Sequence, residues 1–138
     1  MQASPELQEL MLRFVQAAAE GDTAFIDGLY SHQPGVLQIG TDPSEWWRGW
    51  ETITGVWRVQ IAALGGSMPL VANDVEAWEE GTVGWAAAQG AVQVPQQPEL
   101  PMRFTAVFRR EDGGWKVVQG HGSLAVANEE TTFGELPT

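Results

Sequence analysis

Apolar residues in the first half of the chain recur at intervals of three and four. This spacing covers residues 7–18, 25–30 and 50–64, and it places the apolar side chains of each segment on one face of a helix. The first segment follows Ser4-Pro5, a typical helix start, and it ends at Gly21, a typical helix stop. The pattern therefore predicts three amphipathic helices before residue 67.

The second half of the chain shows the period of two that is typical of strands. It predicts strands at 69–78 and 82–94, and a final hairpin that contains the apolar runs 104–108 and 115–118. A short strand at 36–39 precedes the third helix, and the segment 40–49 between them is expected to be a loop. Helices followed by strands indicate an α+β domain, with three N-terminal helices packed on a strongly curved antiparallel sheet.

The final hairpin carries most of the information about a site. Asp112-Gly113-Gly114 predicts its turn, because glycine reaches positive φ without a steric clash. In the strand that follows, the period of two places alternate residues on one face: Trp115, Val117, Gln119, His121 and Ser123. That face changes from apolar to polar along the strand, so we expect the strand to run from the core to the wall of a central pocket.

Length, composition and charge narrow the class of protein. A chain of 138 residues indicates a single domain, 1–138. The absence of cysteine excludes disulfides and thiolate metal sites. A net charge of −11 argues against nucleic acid and against an anionic membrane as partners. Because no signal-peptide or membrane-span pattern is present, we expect a cytoplasmic protein.

Two residues are candidates for acid–base chemistry. His121 could act as a general base or a hydrogen-bond donor near neutral pH, or it could be satisfied by a backbone carbonyl at the pocket rim. Asp42 stands before a proline in the loop at the mouth of the pocket, where it could orient His121, act as a base or cap a turn. With two distant histidines and no clustered carboxylates, we expect no metal and no cofactor.

Tryptophan is unusually frequent, with seven among 138 residues. Its large apolar ring and single donor suit a core, an interface or the wall of a ligand site. Trp57 is expected in the core. The predicted ligand-binding residues are the polar pair on the last strand and four of the other tryptophans: Gln119, His121, Trp46, Trp47, Trp50 and Trp85.

Six segments, together with the order of elements, carry a resemblance to a known family: 40–47, 75–78, 80–85, 114–118, 121–123 and 128–130. They resemble the SnoaL-like domains of the NTF2-like superfamily, to which the ketosteroid isomerases and polyketide cyclases belong. The resemblance implies an α+β cone with a central pocket. The superfamily hosts isomerases, cyclases, hydrolases, dehydratases and non-catalytic binding or dimerisation modules.

The first helix gives one residue-level comparison with the ketosteroid isomerases. In those enzymes it carries a tyrosine that helps to bind the developing enolate oxygen, and the resemblance places Phe14 at that position. Phenylalanine cannot donate a hydrogen bond. Isomerisation that depends on this tyrosine hydrogen bond is therefore not expected.

Three functions remain open at this point. The first is a pocket protein that binds a small apolar or aromatic molecule without converting it. The second is a proton-transfer enzyme, similar to a polyketide cyclase or isomerase, that uses His121 with Asp42. The third is a non-catalytic dimerisation or interaction module that works through the outer face of its sheet.

A homodimer through that outer face is expected in each case. Five apolar residues are predicted to lie opposite the cone: Ala86, Ala88, Val107, Val118 and Leu124. So large an apolar face is unusual on a monomer. A second copy related by a twofold axis would cover it with an identical patch.

Overall fold

A computed structural model describes residues 1–112 and 114–138. The first half contains α1 (Pro5–Glu20), α2 (Thr23–Leu29) and α3 (Trp50–Ala63), which confirms the three predicted helices. Ser4 accepts a hydrogen bond from the Leu7 amide and caps α1, and Asp22 caps α2 in the same way through the Phe25 amide. Within the described residues, none of the helices has the length and apolar character needed to cross a membrane.

The strands form one seven-stranded sheet. They are β1 (Gln2–Ala3), β2 (Leu37–Ile39), β3 (Trp46–Arg48), β4 (Leu70–Glu80), β5 (Val83–Val92), β6 (Leu100–Glu111) and β7 (Gly114–Leu124), and a short 3₁₀ helix (Asn128–Glu130) follows. The spatial order is β1-β4-β5-β6-β7-β2-β3. All neighbours are antiparallel except β2 and β7, which run parallel.

Two short edge strands, β1 and β3, do not follow from the local pattern. Segment 40–49, predicted as a loop, contains β3 because Gln38 and Ile39 of β2 pair with Trp47 and Trp46. The predicted hairpin of β6 and β7 is present, but the Gly113 part of its predicted turn lies outside the described residues.

The helices cover the concave face of the sheet, and the core lies between the two layers. Fully buried side chains come from the helices, including Leu7 and Ile53, and from the sheet, including Phe108 and Val117. Trp57, predicted in the core, is only half-buried, and three phenylalanines that pack against the core are half-buried as well: Phe14, Phe25 and Phe104. This architecture confirms the predicted α+β cone.

A bulge in β7 overturns the predicted facing of its second half. Phe108 pairs with Val117, but its neighbour Val107 pairs with Gln119, so Val118 is an extra residue without a partner on β6. Beyond the bulge, His121 pairs with Thr105, which lies on the outer face, whereas Gly120 pairs with the buried Ala106. The prediction that Gln119, His121 and Ser123 share a face with Trp115 and Val117 is therefore wrong.

The outer face of the sheet also differs from the prediction. Ala86 and Ala88 are buried in the core on the inner face, and Leu124 pairs with the buried Met102. Val107 and Val118 do lie on the outer side. The apolar surface there also includes Trp78 of β4 and Trp85 of β5, which form a cross-strand pair.

Candidate functional site

A cavity of about 440 Å³ lies between α1, α3 and the inner face of the sheet. Its walls are mainly apolar, and helices, strands and loops all contribute to them. The aromatic and polar residues of the wall include Phe14, Gln38, Glu45, Trp47, Trp57, Gln60 and Phe104. Leu64, Val94 and Leu100 border the cavity and are exposed, so its opening lies between the end of α3 and the β5–β6 connection.

Two tryptophans lie on the cavity wall. Trp47 pairs with the buried Gln38 and faces inward, and Trp57 extends into the cavity from α3. Trp57 was predicted as a core residue. The ligand-binding role predicted for Trp47 stays a prediction, and the position of its ring on the cavity wall is compatible with that role.

Three other tryptophans predicted as ligand-binding lie elsewhere. Trp46 is half-exposed on the outer face beside Ile39, and Trp85 faces outward against Trp78. Trp50 packs on the ring of His32 at a centroid distance of 4.1 Å, and its Nε1 donates to the Asp27 carbonyl at 2.8 Å. Trp46 and Trp85 lie on the opposite side of the sheet because side chains alternate along a strand.

A chain of hydrogen bonds joins two residues of the cavity wall, Trp57 and Gln38, through the buried Tyr30. Trp57 Nε1 donates to Tyr30 Oη at 3.0 Å, and Tyr30 donates its own proton to Gln38 Oε1 at 2.6 Å. The direction is fixed because the indole nitrogen can only donate and the amide oxygen can only accept. Burial raises the pKa of the Tyr30 phenol well above its usual range, against the opposing effect of the Trp57 bond. Tyr30 therefore remains protonated, and its hydroxyl proton is already donated to Gln38.

Glycine at position 120 makes room for this chain. A Cβ there would lie 2.2 Å from Gln38 Oε1, well inside van der Waals contact. On the helix side, Phe14 packs edge-on against Tyr30 and Trp57, with centroid distances of 5.9 and 5.6 Å. Phe14 thus lines the cavity.

Glu45 holds a carboxylate at the cavity wall. Its Oε1 accepts a hydrogen bond from the Asp42 amide at 2.8 Å, and its Oε2 accepts one from Gln60 Nε2 at 2.8 Å. The glycine at position 40 permits this placement, since a Cβ there would lie 2.8 Å from the Glu45 Cβ. The loop and α3 together fix the carboxylate in position.

The two predicted acid–base residues do not form a pair. Asp42 is exposed and is absent from the cavity wall; its carboxylate accepts bonds from the Ser44 hydroxyl and amide, which lower its pKa. His121 borders the cavity, but it is exposed to solvent. Its side chain lies on the outer face of the sheet, as its pairing with Thr105 requires. Within the described residues, no hydrogen bond joins His121 to Asp42. The structure therefore gives Asp42 the role of a turn residue.

The structure brings together no metal-binding set of side chains within residues 1–112 and 114–138. His32, the second histidine, is exposed against Trp50. This agrees with its position near the end of α2.

The polar residues of the cavity were missed by the sequence analysis, although one signal was available. Gln38 interrupts an apolar strand between Leu37 and Ile39, and an amide in such a place needs a buried partner. Gly120 and Gly122 alternate on the neighbouring strand, which indicates a close approach by large side chains. Glu45 gave no comparable signal, because its place depends on the pairing of β3 with β2.

The fold and the cavity define the class of protein. Three helices on a curved, mostly antiparallel seven-stranded sheet enclose the cavity, and together they form the α+β cone of the NTF2-like proteins with a cystatin-like fold. The chain matches the SnoaL-like domain over residues 7–127, and it belongs to that family. No curated protein matches it significantly.

Several solved structures share this fold. An NTF2-like protein of unknown function from Pseudomonas putida KT2440 is 20% identical, with a TM-score of 0.79 over 96% of this chain and 94% of that one. A proposed dehydratase of the NTF2-like family from Streptomyces avermitilis is 16% identical, with a TM-score of 0.69 over 88% and 96%. A proposed ketosteroid isomerase from Parabacteroides distasonis is 15% identical, with a TM-score of 0.69 over 88% and 89%. At these identities the likeness shows the fold alone.

Proposed function

We propose that the protein binds a small apolar or aromatic molecule in the cone. The observation that carries the proposal is the cavity itself: about 440 Å³, apolar walls and a few convergent polar groups. Ligand sites typically have volumes of about 300–1,000 Å³ and this composition of walls. Aromatic side chains from three different elements, Phe14, Trp47 and Phe104, suit a flat apolar body.

Binding is favoured over conversion because, among the described residues, no acid–base pair of side chains points into the cavity. Proton transfer by His121 with Asp42 would need both side chains inside, and neither is there. Tyr30 already gives its proton to Gln38. If a bound molecule does lose a proton, Glu45 is the carboxylate on the wall that could accept it.

Replacing Trp47 with alanine is expected to weaken binding of the neutral fluorophore N-phenylnaphthylamine by about tenfold, since the ring supplies apolar contact area worth about 1–2 kcal/mol. Fluorescence titration measures the dissociation constant. Trp46→Ala is the matched control, because the neighbouring ring lies on the outer face. His121→Ala should also change the affinity less than about twofold, since its side chain points away.

A wild-type protein that does not bind the fluorophore at all would contradict the proposal. It would favour the third function, an interaction module with a vestigial pocket. If Trp46→Ala and Trp47→Ala reduce the affinity for the fluorophore equally, binding takes place outside the cone.

We also propose a homodimer through the outer face of the sheet. One row of paired residues crosses this face from Trp78 through Trp85 and Val107 to Gln119. The β4 side of the face is acidic, with Glu76, and the β3 side is basic, with Arg48; both are exposed. A twofold axis parallel to the strands would place the acidic side of each copy over the basic side of the other.

A dimer mass is expected from light scattering at micromolar concentration, and Val107→Glu should give a monomer, because it places a charge at the centre of the apolar row. Val59→Glu is the control, since Val59 is 69% exposed on α3, away from this face. A wild-type monomer mass, or a dimer that persists in Val107→Glu, would count against this interface.

A further inference from the structure

We infer that the cavity selects an amine: a ligand with an aromatic or branched apolar body and a protonated nitrogen directed at Glu45. The inference rests on the proposed binding function and adds the chemical class of the ligand. It extends to a second statement, that carboxylates and phosphates of the same size are rejected.

The first observation is the charge of the wall. Among the described residues that border the cavity, Glu45 is the sole carboxylate, and neither lysine nor arginine occurs. An anion that entered would lose its hydration without gaining a cationic partner, which is costly. The rest of the chain adds to this selection, because a net charge of −11 attracts cations and repels anions at long range.

The second observation is the state of the Glu45 carboxylate. A carboxylate offers about four acceptor positions, and neighbouring groups use three: the Asp42 amide and Gln60 amide at 2.8 Å, and the Thr41 hydroxyl at 3.4 Å. These bonds fix the group in place and leave acceptor capacity for a ligand. A positively charged hydrogen-bond donor would form the strongest bond there, since charge-assisted hydrogen bonds are about twice as strong as neutral ones.

The other polar groups near Glu45 also favour a donor on the ligand. Gln60 uses its NH₂ group on Glu45, so its own carbonyl oxygen is an acceptor beside the carboxylate. Trp47 and Trp57 line the same cavity as Glu45, and aromatic rings attract an organic cation through their negative faces. An ammonium group therefore finds acceptors and aromatic surface together, whereas a carboxylate finds a like charge.

The experiment compares three probes with one apolar body: naphthylethylamine, naphthylethanol and naphthylacetic acid. Calorimetric titration at neutral pH and low salt should give a dissociation constant about tenfold lower for the amine than for the alcohol, the usual size of one charge-assisted contact at a half-exposed site. The acid should bind more weakly than the alcohol. Added salt should reduce the preference for the amine, because ions screen the charge of Glu45.

Glu45→Gln keeps the shape of the side chain and removes its charge. It should bring the affinity for the amine to within about threefold of that for the alcohol, and leave the alcohol itself nearly unchanged. The matched control is Glu51→Gln, which changes the net charge equally at an exposed position on α3 outside the wall. This control should keep the full preference for the amine.

The outcomes separate the two proposals. If the alcohol binds and the amine binds no better, or if Glu45→Gln and Glu51→Gln behave alike, the inference is overturned while the binding function stands. If the acid binds best, the inference is overturned as well. If neither the neutral alcohol nor N-phenylnaphthylamine binds, the proposed function itself fails and the inference fails with it.

Discussion

Replacing Gly120 with alanine is expected to lower the free energy of unfolding by about 2–4 kcal/mol, from overpacking and from the loss of a buried hydrogen bond. The new Cβ would lie 2.2 Å from Gln38 Oε1 and 3.1 Å from its Cδ, so the amide has to move. That oxygen accepts the proton of Tyr30, which is 1% exposed. Moving the amide leaves a buried phenol without its acceptor.

Urea denaturation followed by tryptophan fluorescence measures this effect, and Gly122→Ala is its matched control. Gly122 lies on the same strand and the same face, but a Cβ there would meet Met102 Cε at 3.6 Å and Phe104 Cδ1 at 3.9 Å, which are ordinary contacts. The control should stay within about 0.5 kcal/mol of the wild type. Equal stability of the two variants would contradict the placement of Gln38 against Gly120.

Phe108→Ala is expected to destabilise the protein by about 3–5 kcal/mol, the usual cost of removing a fully buried aromatic side chain. Phe108 has no exposed surface and lies opposite Val117, which has none either. The cavity left behind would open in the packed end of the cone, where helices and sheet leave little room for relaxation. Thermal and urea unfolding at one fixed protein concentration measure the decrease in the free energy of unfolding.

Val107→Ala tests the facing of the same strand. Val107 is the neighbour of Phe108, is half-buried and belongs to the outer face. Its truncation should cost about 1 kcal/mol or less. If Val107→Ala lowered the free energy of unfolding more than Phe108→Ala does, the inner and outer faces of β6 would be assigned the wrong way round.

The helices and long strands could be predicted because their signals are local. Ser4, Asp22 and Gly21 act on amides and carbonyls within a few residues, so their roles at the helix ends follow from residue type and spacing. The three apolar stripes and the β-rich second half were sufficient for the α+β class. The resemblance to SnoaL-like domains added the cone, and both conclusions agree with the structure.

The site could be predicted only in part, because it depends on pairings between distant segments. Trp47 reaches the cavity and Trp46 does not, and this follows from the pairing of β3 with β2. The facing of His121 follows from one extra residue at Val118. Since side chains alternate with a period of two, an insertion of one residue moves every later side chain to the other face.

The sequence by itself determined the secondary structure, the class of fold and the supply of aromatic side chains, because these depend on residue type and on neighbours close in the chain. The tertiary structure decided which side chains share the cavity. Gln38, Tyr30 and Trp57 join in one hydrogen-bonded chain across three separate parts of the chain, and Glu45 reaches the wall only because Gly40 leaves space for it. Such contacts depend on strand register and close approach, which a bulge of a single residue can reverse without any mark in the local pattern.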